Sequence, residues 1–174
     1  MAIVDALLQE LEQEAQTTKR VLERVPADKL GWKPHAKSMS LGQLALHVAQ
    51  VPGAVARIST QSPLQAPQFM HPAPNSVAEL LPALDESVAT AKSILAGASD
   101  AELTSTWRLV DGDRELMAIP RVAMLRSIML NHWYHHRGQL SVYLRELGVP
   151  LPSIYGPSAD ENPFMQRAAA SAIR

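Results

Sequence analysis

Residues 120–148 read PRVAMLRSIMLNHWYHHRGQLSVYLRELG, and their periodicity decides the fold class. Met124, Leu125, Ile128, His132, His136, Leu140 and Tyr143 recur at three- and four-residue steps, the period of an amphipathic helix. Pro120 suits the first turn and Gly148 the stop, so the stretch predicts a helix from about Pro120 to Leu147. His132 and His136 lie four apart on that stripe. The spacing sets both imidazoles on one face, one turn apart, within reach of a single ion.

Three more stripes lie upstream. Val4, Leu7, Leu8, Leu11, Ala15, Thr18 and Leu22 predict a helix over residues 3–24, ended by Pro26. Ser38 or Ser40 caps the next, whose stripe is Leu44, His47, Val48, Val51, Val55 and Ile58. Pro52-Gly53 interrupts it, and a kink just after His47 rather than a full stop is expected because the apolar stripe resumes beyond. Ser76 and Glu79 form a capping box for a third helix carrying Val77, Leu80, Leu81, Leu84, Val88, Ala91 and Leu95, with Gly97 at its end.

The connections are less regular. Residues 27–40 read as a loop, and 61–75 as a crossover rich in proline. Asp100 to Thr106 adds a short turn, and Trp107 to Ala118, with Asp111-Gly112-Asp113, an irregular loop or small hairpin. The tail from about 149 to 174 is irregular, with a short helix expected around Phe164 to Ile173. Four amphipathic helices without a convincing strand pattern predict an all-α four-helix bundle, one domain spanning 1–174. The link between the first two helices suggests an antiparallel pair.

Composition narrows the function classes. The net charge of −1 leaves no basic excess for phosphates, so nucleic acid is not an expected partner. No stretch approaches the ~20 apolar residues of a bilayer span, and no signal-peptide pattern opens the chain, so the expectation is a cytoplasmic protein with no membrane partner. The absence of cysteine excludes disulfides, thiolate metal ligands and a cysteine nucleophile.

His47 alone would read as a core residue with one satisfied hydrogen bond. With His132 and His136 the weight shifts. Burying each unpaired imidazole costs about 1–3 kcal/mol, and a metal ion is the natural common partner. Three neutral imidazoles make an open site for zinc, nickel or iron, with water or substrate in the remaining positions. The position after His132 is Trp133, not the glutamate of a zincin protease. His135 is about 100° off the stripe and reads as a flanking residue. His35 and His71 fall in loops, where solvent exposure is expected.

Asn131-His132-Trp133-Tyr134-His135-His136-Arg137-Gly138-Gln139-Leu140 resembles the HxxxHRGQ signature of the DinB/YfiT-like superfamily of metalloenzymes. Trp32-Lys33-Pro34-His35, Ser40-Leu41-Gly42-Gln43-Leu44-Ala45-Leu46-His47 and the tail Val149 to Glu161 are similar to its other segments, so the resemblance covers nearly the whole chain. It implies an up-down-down-up bundle, commonly a homodimer, with His47, His132 and His136 binding the metal. It also implies relatives that are transferases or isomerases dependent on low-molecular-weight thiols.

Around these histidines, Gln43 and Gln139 lie near His47 and His136, and either orient an imidazole, bond a metal-bound water, or are partly buried polar residues at the bundle mouth. Gly138 suggests close helix approach, and Arg137 a pair with Asp160 or Glu161 that pins the tail. Tyr155 and Trp32 read as loop anchors, and the carboxylates of the first helix as a solvated face. No carboxylate is placed as a general base. Two function classes follow. One is a metal-dependent enzyme, a thiol-dependent S-transferase or a hydrolase acting on a small molecule. The other is a non-catalytic, metal-stabilised dimer or small-molecule-binding protein.

Overall fold

The computed structural model describes residues 2–68 and 70–165. The helix expected at 164–173 lies largely outside the described residues. The chain is mostly helical. Its long elements are α1 (Ile3–Leu22), α2 (Leu41–Ser59), α3 (Leu80–Ala96) and a composite fourth segment. A short α4 (Asp100–Thr104) follows α3, and a hairpin separates it from the fourth segment.

α2 is the central element. Ser40 starts it, since its hydroxyl accepts from Gln43 N and its own N–H donates to Gln43 Oε1 at 2.9 Å. It packs on α3 and on the fourth segment, and α1 packs chiefly on α3 rather than on α2. The short link therefore does not make α1 and α2 the main pair. Chain proximity gives way to the faces that bury Leu11, Ala15, Leu84 and Ala91.

α2 runs through Pro52 without a break, and two side chains repair the backbone there. Pro52 has no N–H to give the Val48 carbonyl one turn back. The buried Trp133 indole donates to that carbonyl at 2.8 Å. Next door, Gly53 N donates to Ser87 Oγ at 2.8 Å, and Ser87 Oγ donates to the Gln50 carbonyl at 3.0 Å. A Cβ on Gly53 would stand 2.7 Å from the Ser87 carbonyl oxygen, so this approach of α3 to α2 requires glycine. Trp133→Phe keeps most of the ring volume but orphans the Val48 carbonyl. It is expected to cost about 1–3 kcal/mol in urea unfolding, and a change below about 0.5 kcal/mol would refute this account.

The all-α expectation is corrected by a three-stranded sheet. β1 (Leu64–Gln65) pairs parallel with β2 (Thr106–Asp111), which pairs antiparallel with β3 (Arg114–Pro120). Gly112, at φ +57°, makes the turn. β2 and β3 form the small hairpin that Asp111-Gly112-Asp113 offered as one alternative, but a periodicity reading misses the sheet because Trp107 and Leu64 alone among its described side chains are buried in the core. That tryptophan donates to the Ile58 carbonyl at 3.2 Å, and Arg121 Nε to the Ser59 carbonyl at 2.8 Å, so the hairpin and its exit cap the C-terminal end of α2.

The fourth segment is not one uniform helix. It comprises α5 (Arg121–Met124), a π-helical stretch (Leu125–Asn131) and α6 (His132–Glu146). Pro120 precedes it as cap, and Gly148, at φ +71°, follows its end. The π stretch stops where the histidine motif begins.

Candidate metal centre

His47 comes from α2, and His132 and His136 from the first turns of α6. Ring nitrogens from the three lie within 4.8 Å of one another, and no carboxylate joins the set among the described residues. His47 Nε2 is 3.4 Å from His132 Nε2. The His136 ring is 4.6 Å from that of His47 and 4.4 Å from that of His132, centroid to centroid. All three are half-buried.

The π stretch contributes to this convergence. The His132 N–H reaches the Ser127 carbonyl five residues back, whereas an α-helix would send it to Ile128. The Trp133 bond to Val48, one residue beyond His47, then ties α6 to α2 beside the histidines.

Gln139 orients an imidazole. His136 Nδ1 lies 2.7 Å from Gln139 Oε1 and donates to it, which leaves Nε2 unprotonated. Gln43 does something else: its Oε1 caps α2 and its Nε2 donates to the His71 carbonyl at 2.8 Å. His35 and His135 are exposed, as expected. His71 is exposed too, but its ring stands edge-on to His47 with centroids 5.2 Å apart, a neighbour that loop composition did not announce.

Burial is the first cause that holds all three imidazoles neutral. It lowers His47 and His136 to about 4, with the neighbouring histidines adding to the effect, and lowers His132 in the same direction. For His136 the Gln139 bond opposes part of the shift. In the unfolded chain these groups bind protons from the ordinary imidazole value of 6.5 downward, while in the folded metal-free protein His47 and His136 refuse them until about 4. Stability is therefore full above about pH 6.5 and falls across that window. Urea midpoints of metal-free protein taken from pH 7.5 to 4.5 should decline more steeply than those of a His47→Gln variant. Parallel curves would refute the assignment.

Two neighbouring expectations change. Asp160 pairs with Arg145 and Glu161 with Arg20, so neither meets Arg137. Arg137, 1% exposed, pairs instead with Glu14 of α1 at 2.6 Å, which removes Glu14 from the expected solvated face. It also donates to Thr18 Oγ1 and the Glu14 carbonyl, and to the hydroxyl of Tyr155. Tyr155 in turn donates to Glu14 at 3.0 Å, so the tail is pinned through the tyrosine. Gly138 is exposed, and a Cβ there would meet nothing within 4 Å, so it marks no close helix approach. Trp32 rests edge-on against Tyr143 at 5.4 Å, the anchor its loop position suggested.

The sequence profile of the DinB family matches residues 1–167, a span that holds all three histidines and the HRGQ run. The chain belongs to the DinB family. Among curated relatives of this family member, the uncharacterized protein YrdA of Bacillus subtilis (strain 168) is 26% identical over 159 residues, 91% of each chain. Among solved structures, a DinB-like protein from Bacillus cereus ATCC 10987 is 21% identical, with TM-score 0.71 over 88% of this chain and 98% of that one. A DinB-like protein from Bacillus subtilis, YjoA, is also 21% identical, with TM-score 0.64 over 86% and 96% of the two chains. These likenesses establish the fold. No helix among the described residues is long and apolar enough to cross a membrane.

Proposed function

We propose that His47, His132 and His136 hold one divalent ion, zinc or nickel first and iron next, and that the protein is a metal-dependent enzyme acting on a small molecule. The observation that carries this is the compact set of three imidazole nitrogens with no fourth protein ligand among the described residues. Three neutral nitrogens suit a zinc or nickel ion and leave coordination positions open. Bound there, such an ion supplies a Lewis acid and lowers the pKa of water or of a small-molecule thiol. The first use makes a hydrolase and the second a thiol-dependent S-transferase. Because the chain has no cysteine, the thiol belongs to a cosubstrate of low molecular weight.

The residues' own tasks are plain. Burial keeps the imidazoles unprotonated at neutral pH, Gln139 fixes the tautomer of His136, and the Trp133 bond holds the two helices in register. In this reading the chain is one domain over 1–174, its long helices form an up-down-down-up four-helix bundle, and it works in the cytoplasm as a homodimer. The lack of a carboxylate in the histidine set favours a second reading, a non-catalytic metal-stabilised dimer or small-molecule binder.

Metal analysis of purified protein after supplementation with zinc, nickel or iron tests the first claim. About one ion per chain is expected. A chain that retains none overturns it. Turnover screens with and without small thiols then separate transferase from hydrolase, and a loaded protein inert in both supports the second reading.

A further inference from the structure

His71 lies in the crossover between β1 and α3, outside the three-histidine set. Two contacts with the start of α2 fix its place. The Gln43 carboxamide donates to the His71 carbonyl at 2.8 Å. Three residues on, buried Pro74 packs against Gly42, where an added Cβ would stand 3.2 Å from the proline Cδ. Gly42 and Gln43 precede His47 on the same helix, so the loop and the ligand share one support. The His71 ring accordingly meets that of His47 edge-on, with planes at 86° and centroids 5.2 Å apart.

Its nitrogens do not enter the set whose members lie within 4.8 Å of one another. Ligand nitrogens stand about 2.0–2.1 Å from zinc, so a compact set is what direct coordination needs. An imidazole one layer further out instead reaches a molecule held by the ion. A hydrogen bond of that kind tunes the bound group and selects for it.

We propose that His71 is a fourth histidine of the centre, an outer imidazole that hydrogen-bonds the water or small thiol occupying the ion's open position. The assignment rests on the three-histidine metal reading and adds a residue to it. With a thiolate in place, the His71 N–H donates to sulfur. With water, the imidazole nitrogen accepts from it.

Cobalt(II) in place of the native metal, with 2-mercaptoethanol as probe, gives two separate readouts. The ligand-field bands report direct ligands, and the thiolate-to-cobalt charge-transfer band reports probe binding. His71→Ala should bind cobalt(II) within about twofold of the unaltered protein, with the same ligand-field bands. Its dissociation constant for the thiol should rise about three- to tenfold, the worth of one hydrogen bond. His71→Asn, which keeps an N–H donor, should recover part of that loss. A thiol affinity unchanged in His71→Ala overturns the proposal. So does a loss of cobalt affinity beyond about tenfold with shifted bands, which would make His71 a direct ligand. If the unaltered protein takes up no cobalt, the parent metal reading fails and this one falls with it. Thiol binding insensitive to His71 leaves the parent reading standing.

Discussion

Arg137→Met is expected to lower the unfolding free energy by about 3–5 kcal/mol, which for a chain of this size is roughly 10 °C in Tm. The guanidinium is buried and shares the Glu14 carboxylate with the Tyr155 hydroxyl. It also lies over the faces of two aromatic rings, 5.3 Å from the centroid of Tyr134 and 5.2 Å from that of Tyr155. Methionine fills much of the same space but leaves Glu14 as a buried charge without its cation. The penalty comes from the stranded carboxylate, because a buried ion pair itself contributes little net stability. Glu14→Leu combined with Arg137→Met should therefore recover most of the loss, and the two changes should be strongly non-additive in a double-mutant cycle. A single-variant loss below about 1 kcal/mol, or additive losses, would show that the pair is not the linchpin between α1, α6 and the tail.

His132→Ala is expected to weaken metal binding by two to three orders of magnitude, or about 3–4 kcal/mol, one ligand's share of a zinc site. The same change should leave the metal-free protein at least as stable as before. His132 is held neutral by burial, and its half-buried ring sets its Nε2 only 3.4 Å from that of His47, a length at which the two imidazoles gain little from each other. Added zinc should raise the Tm of the unaltered protein by linkage and not that of the variant. Calorimetric titration beside thermal melts, with exposed His135→Ala as control, reads both effects. If His132→Ala destabilises the metal-free fold by several kcal/mol and leaves zinc affinity intact, the imidazole is a core residue and not a ligand.

These two variants also mark where sequence reading succeeds and where it stops. His132 was legible because the helical period puts i and i+4 on one face, whatever else the chain does. His47 followed from the stripe of α2, since a polar residue repeated in phase with Leu44, Val48 and Val51 must face what they face. The Ser40 cap and the Gly148 stop rest on equally local chemistry. The partner of Arg137 had no such signal. Glu14 lies 123 residues away, and nearer acids in the tail offered an alternative by proximity alone. The π stretch carries no composition of its own, and the sheet buries too few side chains to write an alternation into the strands.

His71 is the sharpest case. Its neighbours in the chain are prolines, a methionine and a phenylalanine, and they say loop. Its place beside His47 depends on the Gln43 carboxamide and on Pro74 fitting against Gly42. The sequence by itself determined the helices, the shared face of His132 and His136, and the phase of His47, because each follows from a backbone period of 3.6 residues. Only the tertiary structure decided that these faces meet, that Trp133 replaces the N–H Pro52 lacks, and that Arg137 and His71 find the partners they do. Those are contacts between distant elements, and they depend on how the whole surface of each helix packs against its neighbours.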